Sequence, residues 1–120
     1  MATSQVTIDP TRPLQVNFIS TSPHVVVYRL WKRVAAEQPW VRVRDGSSDD
    51  DVPDFVEVPA LPSGALVAWW LGIGGKPRSK YRAVVTLGQD GQVLAGGTFV
   101  EEGMTDGQGF AVADRTVALV

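Results

Sequence analysis

The stretch LPSGALVAWWLGIGGKPRSKYRAVVTLGQDGQVLAGGTFVEEG, residues 61–103, decides the fold, because it reads as three consecutive strands. The last two strands meet at Asp90-Gly91, a dipeptide that favours the type I′ turn of a two-residue hairpin. Gly96-Gly97 in the second arm indicates a bulge or a close approach of another backbone segment. A hairpin closed at this turn predicts these cross-strand neighbours: Val85–Gly96, Leu87–Leu94, Tyr81–Val100 and Lys80–Glu101.

The segment 65–73, ALVAWWLGI, is apolar at consecutive positions instead of alternating ones. A strand with no polar face is normally covered on both sides. A second sheet would cover one side, and a loop, a ligand or another chain would cover the other. Trp69 and Trp70 point to opposite faces of such a strand. We therefore expect one indole in the core and the other to need cover.

The rest of the chain predicts short strands separated by turn-forming residues. Segment 24–34 also fits helical spacing, but the run Val25-Val26-Val27 and the lack of a capping box favour a strand. Segment 45–54 is acidic, has no apolar periodicity and predicts a loop. Further strands are expected at 14–19, 40–44, 55–58 and 65–73, in the two hairpin arms, and around 116–120.

About eight short strands with turn residues between them predict an all-β fold, specifically an antiparallel two-sheet β-sandwich of immunoglobulin-like or fibronectin-like shape. Residues 14–120 are expected to form this single domain. Residues 1–13 contain Pro10 and Pro13 and are expected to form an N-terminal lead-in that is ordered only if it docks.

Composition narrows the function classes. A net charge of −2 supplies no broad positive field, so we expect no nucleic-acid partner. The absence of cysteine excludes disulfides, a thiol nucleophile and thiolate metal sites. The sequence has neither a membrane-spanning apolar stretch nor the features of a signal peptide, which suggests a cytoplasmic protein, although a mature exported form would look the same.

The acidic segment contains the candidate metal ligands of this chain. Calcium takes several oxygen ligands and tolerates irregular loops. The segment lacks the EF-hand glycine and closing glutamate, so the favoured interpretation is a solvated loop with no metal. The weak candidates are Asp49, Asp50, Asp51 and Asp54.

Catalytic signatures are weak. His24 is the one histidine, so neither a two-histidine relay nor a histidine-paired zinc site can form within one chain. Its place beside Pro23 suggests a surface or strand-end residue. The run Gly72–Lys76 lacks the Walker spacing and leads into no helix, which favours a hairpin loop over a phosphate site. We expect no enzyme and no cofactor; a small hydrolase or transferase would require His24 or an Asp pair in a cleft.

The tryptophans carry the functional hypothesis. Exposed Trp with polar neighbours anchors protein interfaces and also stacks on sugars. We expect a non-catalytic protein-interaction or self-assembling module that associates through strand 65–73, with another copy or another protein as partner and a homo-oligomer as the expected form. A lectin-like carbohydrate module, calcium-assisted or not, is the alternative. The candidate binding residues are Trp69, Trp70, Trp40, Arg42, Arg44, Lys76 and Arg78.

Overall fold

The computed structural model of the chain describes residues 4–20, 24–48 and 53–120. These residues form two sheets without a helix, which confirms the all-β, two-sheet part of the prediction. The strands of the described residues are β1 (Ser4–Val6), β2 (Leu14–Ser20), β3 (Val25–Arg33), β4 (Val41–Ser48), β5 (Asp54–Val58), β6 (Leu66–Gly74), β7 (Lys80–Gln89), β8 (Gln92–Met104) and β9 (Phe110–Leu119).

The strands divide into a sheet of five and a sheet of four. Sheet A has the order β1-β9-β6-β3-β4, and sheet B has the order β5-β2-β7-β8. The pair β1–β9 is parallel, so the prediction of a purely antiparallel sandwich is wrong at this edge. Three residues of mixed polarity carry too little pattern to predict such a strand. Through this pairing part of the lead-in docks onto the domain.

The core lies between the sheets and contains one face of each sheet. Its largest fully buried side chain is Trp69, whose ring meets Phe18 edge-on at 6.4 Å and Phe99 at 5.4 Å. Phe18 also stacks on Tyr28 with ring centroids 3.8 Å apart. The buried Tyr28 hydroxyl donates to the Asp54 carboxylate. Desolvation, reinforced by this hydrogen bond, raises the pKa of Tyr28 above its ordinary value.

The β7–β8 hairpin turns where the sequence predicts it, but its register changes along the arms. Asp90 and Gly91 both have positive φ, at 53° and 78°, as a type I′ turn requires. The predicted register holds beside the turn and is then lost at a shift between Thr86 and Gly88. The partners observed further along are Phe99 for Val85, Gly103 for Tyr81 and Met104 for Lys80, so these three predicted pairings are wrong. The fourth, Leu87–Leu94, lies at the shift itself and stays a prediction.

The shift in register arises at Gly96-Gly97. Gly96 has a φ of 69°, a conformation that side chains disfavour. A Cβ at Gly97 would lie 2.7 Å from the backbone oxygen of Leu87, so only glycine allows this approach. The bulge predicted from the paired glycines is confirmed.

Strand β4 differs from prediction in length and in the faces of its side chains. It continues to Ser48, so residues 45–48 are strand instead of loop. A register shift between Leu30 and Trp31 places Arg44 opposite Leu30 and Arg42 opposite Trp31. Because Leu30 is a core residue and Trp31 is not, Arg42 and Arg44 do not share a face as an unbroken alternation predicts.

Strand β9 begins at Phe110, six residues before the start predicted for the last strand. In the described part of the chain no helix has the length and apolar character needed to cross a membrane.

Candidate functional site

Strand β6 lies in the middle of sheet A and shows a clear inside and outside. Val67, Trp69, Leu71 and Ile73 are buried, and the residues between them are half-buried. The inner face is covered by sheet B, whereas the outer face keeps partial exposure within this single chain. We predicted that both faces of this strand need cover; within the single chain only the inner face is fully covered.

Two glycines make a groove on the outer face of sheet A. Gly72 and Gly74 occupy consecutive outward positions of β6 and leave its surface without side chains. Val27 on β3 is the register partner of Gly72, and Phe110 on β9 is the partner of Gly74. Side chains on β3 and β9 therefore stand as walls above a glycine floor. We call this feature the glycine groove; it has a volume of about 620 Å³ and is lined by Val25, Val27, Trp70, Gly72, Ile73, Gly74, Gly75, Phe110, Ala111 and Val112.

The walls of the glycine groove are unusually exposed for apolar side chains. Val27 is 51% exposed, Phe110 61% and Val112 67%. Every residue that lines the groove is apolar. A contiguous exposed patch of this kind is typical of an interaction surface, whereas isolated exposed apolar residues are not.

Trp70 forms the end wall of the groove. Its ring lies over Gly72, because a Cβ at Gly72 would be 2.7 Å from the indole Cη2. The Arg29 guanidinium lies 5.4 Å from the ring centroid, within the range of a cation–π interaction. Asp114 is the register partner of Trp70 on its other side. Asp45 on β4 is in turn the register partner of Arg29, so the row across the sheet from β4 to β9 reads anion, cation, indole and anion.

The Phe110 wall is held by the turn before β9. The Asp106 carboxylate accepts hydrogen bonds from the backbone N–H groups of Phe110, at 3.0 Å, and of Gln108, at 2.8 Å. These bonds stabilise the ionised carboxylate and hold the pKa of Asp106 below its ordinary value. The charge of Asp106 therefore fixes the start of the strand that carries Phe110.

The predicted basic residues are not gathered around the groove. Lys76 and Arg78 follow Gly75 in the β6–β7 turn, at the end of the groove away from Trp70. Arg42 lies further along the outer face, 5.6 Å from the Trp31 ring centroid and 3.2 Å from the Asp45 carboxylate. The Arg44 guanidinium instead turns toward β5, 3.9 Å from the Asp54 carboxylate.

The remaining predicted tryptophans lie outside the groove. Trp69 is 1% exposed and belongs to the core, so it presents no surface to a partner. Trp40 is exposed in the β3–β4 connection, where the Arg33 guanidinium lies 5.9 Å from its ring centroid. Of the four tryptophans, Trp70 is the one in the groove lining.

Sequence reasoning missed most of the groove. The signal available was Gly72-x-Gly74, which the sequence placed in a hairpin loop after strand 65–73. This was wrong up to Gly74, because β6 continues to that residue and sets both glycines on one face. Such glycines in a strand are typical of a close approach by a ligand or another backbone. Phe110 and Val112 were hidden because the last strand was predicted to begin later.

His24 occupies a buried polar cluster. It is 2% exposed, which corrects the alternative of a surface position, and it immediately precedes β3. Its Nε2 lies 2.8 Å from Ser79 Oγ, and that hydroxyl donates to the Lys76 carbonyl oxygen at 3.0 Å. Because the hydroxyl has one hydrogen, it accepts from the imidazole N–H. In this arrangement the imidazole does not act as a base toward Ser79.

The metal candidates fall mostly outside the described residues. Asp49, Asp50 and Asp51 lie there, and Asp54 is engaged by Tyr28. Within residues 4–20, 24–48 and 53–120, no three acidic or histidine side chains come together as ligands for an ion.

Comparison of the chain with protein-family models, curated proteins and solved structures finds no match.

Proposed function

We propose that this chain is a non-catalytic interaction module that docks a protein partner through the outer face of sheet A. The observation that carries the proposal is the glycine groove, a fully apolar concavity on the middle strand of an exposed sheet face. Burial of apolar surface stabilises a complex by roughly 25 cal/mol per Å² before the costs of association.

Trp70 has the character of an interface anchor. Tryptophan and arginine are enriched among the residues that dominate binding energy, and here Arg29 stacks against the Trp70 ring. The ring is half-buried, over Gly72 and beside Arg29, so its conformational freedom is already restricted before a partner arrives. An aromatic ring that is already restricted loses less conformational entropy on binding.

The lining of the groove favours a protein over a carbohydrate. Sugar recognition combines stacking with hydrogen bonds to hydroxyl groups. Apart from the indole N–H of Trp70, the side chains that line the groove supply no such polar partners. A glycan array read with and without chelator tests the carbohydrate alternative, which predicts chelator-sensitive binding if an ion assists.

The immunoglobulin-like or fibronectin-like shape belongs to the same proposal. A five-stranded sheet packed on a four-stranded sheet supports a sandwich of this general kind. An experimental structure, superposed on domains of both kinds, tests the likeness.

The proposed function is tested with a displayed library of random peptides selected on the wild-type chain. The affinity of the selected peptides is then measured for the wild type and for the variants Trp70→Ala and Gly74→Val. Self-association of the same three proteins is measured as well. Gly74→Val adds two methyl groups to the floor of the groove, and its Cβ would lie 3.7 Å from Phe110, an ordinary contact. Phe55→Ala is the matched control, an aromatic residue 47% exposed on the edge of sheet B.

We expect both groove variants to lower affinity by about tenfold or more and the control to leave it unchanged. Ligands that bind all four chains equally would contradict the proposal. A selection that enriches no ligand, with no self-association, would contradict it as well.

A further inference from the structure

We infer that the partner of the glycine groove is a second copy of this chain, packed face to face about a two-fold axis roughly parallel to β6. This inference rests on the proposed function and specifies its partner. It follows from the charges that flank Trp70, from the pattern of apolar residues beside them, and from the area of the face.

Opposite charges stand at equal distances from β6. Arg29 on β3 and Asp114 on β9 are both register partners of Trp70. Both side chains are exposed, and among the described residues neither forms an ion pair within the chain. With strands spaced ~4.8 Å apart, the two residues lie about 10 Å from each other across the sheet.

A rotation about an axis along β6 exchanges the two sides of the face. It places β3 of one copy over β9 of the other. Register partners across β3, β6 and β9 keep their position along the strands, so they face the same set of residues in the other copy. Arg29 of each copy then faces Asp114 of the other, so one dimer contains the charge pair twice. A two-fold axis perpendicular to β6 at the level of Trp70 would set β3 over β3 and oppose like charges, which disfavours that arrangement.

The same rotation matches the apolar rows. Val27 and Val112 flank Gly72 in one row, and Val25 and Phe110 flank Gly74 in the next. Each wall of one copy therefore meets the opposite wall of the other. The glycine floors leave room between the walls, and the exposed Phe110 ring of each copy can turn into the groove of the other. Side chains of two aligned sheets interdigitate in this way.

The face has the size that a stable dimer needs. The strands of sheet A contain 39 residues, which at a strand spacing of ~4.8 Å and a rise of ~3.3 Å per residue cover roughly 600 Å² before the relief of the side chains is added. A standard protein interface buries about 800 Å² on each partner. The outer face of sheet A is therefore of the right order.

Sedimentation velocity on two charge variants, alone and mixed, tests the inference. In a dimer of the Arg29→Asp variant, an aspartate at position 29 of each copy would face Asp114 of the other. In a dimer of the Asp114→Arg variant, Arg29 of each copy would face an arginine at position 114 of the other. We expect each variant to dissociate about tenfold more readily than wild type. An equimolar mixture restores the wild-type dissociation constant, because the heterodimer contains both attractive pairs. No effect within one chain can produce this rescue.

Arg82→Asp and Glu57→Arg are the matched controls. They make the same charge changes at exposed positions on sheet B. Alone or mixed, they leave the dissociation constant of the dimer unchanged. An effect of the controls as large as that of the groove-face variants would show that net charge is responsible, and it would overturn the inference.

The remaining outcomes separate this inference from the proposed function. A wild-type chain that stays monomeric up to submillimolar concentration, while selected peptides still depend on Trp70, overturns the inference and leaves the proposed function standing. Self-association without rescue in the mixture overturns the two-fold arrangement. If neither self-association nor Trp70-dependent peptide binding occurs, both fail.

Discussion

Trp69 and Trp70 are neighbours in the chain, yet they lie in two different environments. Trp69 is 1% exposed and contacts Phe18 and Phe99 between the sheets. Trp70 is half-buried on the outer face, over Gly72 and beside Arg29. The alternation of a single strand separates a ring that holds the fold together from a ring that is available for recognition. Residue type alone does not distinguish the two roles.

The contrast extends along the whole of β6. Its inward residues are large and closely packed, whereas two of its outward residues are glycines. Large side chains maximise buried area between the sheets. Glycines do the opposite on the outer face, since they leave a concavity that another molecule can fill. The inner face therefore accounts for stability, and the outer face is the surface that we propose for binding.

The largest difference between the two faces is expected in stability. Trp69→Ala removes a large core side chain and should lower the free energy of unfolding by about 3–5 kcal/mol. Trp70→Ala should cost only about 1 kcal/mol, because its ring is partly solvated already. Urea denaturation measures both. Equal losses for the two variants would contradict the assignment of the faces.

Trp69→Phe is the control for the core position. The Trp69 indole Nε1 has no hydrogen-bond partner among the described residues. Phenylalanine removes this unsatisfied donor and keeps most of the packing, so its cost should be well below that of alanine.

The floor of the groove sharpens the comparison within the outer face. Gly72→Ala places a Cβ 2.7 Å from the Trp70 ring and must move it, whereas Gly74→Ala meets Phe110 at 3.7 Å. We expect Gly72→Ala to weaken association about tenfold and Gly74→Ala to weaken it less. Both should keep stability within about 1 kcal/mol of wild type, because the Trp70 ring can turn toward solvent. Stronger binding by Gly72→Ala would show that the position of the ring is unimportant.

The smallest effect is expected from Asp106, which acts on the groove only through Phe110. Asp106→Ala should weaken association about twofold to threefold without unfolding the chain. In the wild type the pKa of Asp106 is lowered, so its hydrogen bonds are complete above the ordinary value near 3.8 and are lost as the pH falls through the lowered value. Affinity should fall over that same acidic range.

Asp9 provides the control for this pH dependence. The pKa of Asp9 is also lowered, chiefly by the hydrogen bond from the Thr11 hydroxyl, but Asp9 lies beside Gln89 near the tip of the β7–β8 hairpin. Asp9→Ala should leave both the affinity and its pH profile unchanged. A profile abolished by Asp9→Ala and kept by Asp106→Ala would contradict the role of Asp106.

The fold was predictable from the sequence where the signal is local. The Asp90-Gly91 turn and the Gly96-Gly97 bulge depend on backbone preferences of adjacent residues, and both are present. The size of the bulge depends on contacts between the arms, so the register beyond it was not predictable. The extension of β4 past Asp45 depends on pairing with β3, which outweighs its polar composition.

The candidate site was predictable in part. Opposite faces for Trp69 and Trp70 follow from alternation, and the predicted strand 65–73 corresponds to β6, whose residues line the groove. The walls could not be predicted, because β3, β6 and β9 become neighbours only through the order of sheet A. The bulge in β4 also separates Arg42 from Arg44, which a simple alternation places together.

The most direct test of the central claim follows the four indole N–H signals and the backbone amides by NMR, as the chain is concentrated or titrated with a selected peptide. If the outer face of sheet A is the docking surface, the largest shifts fall on Trp70, Gly72, Gly74 and Val112, while the Trp69 signal stays in place. Shifts that cluster on sheet B or around Trp40, with Trp70 unchanged, would contradict the account.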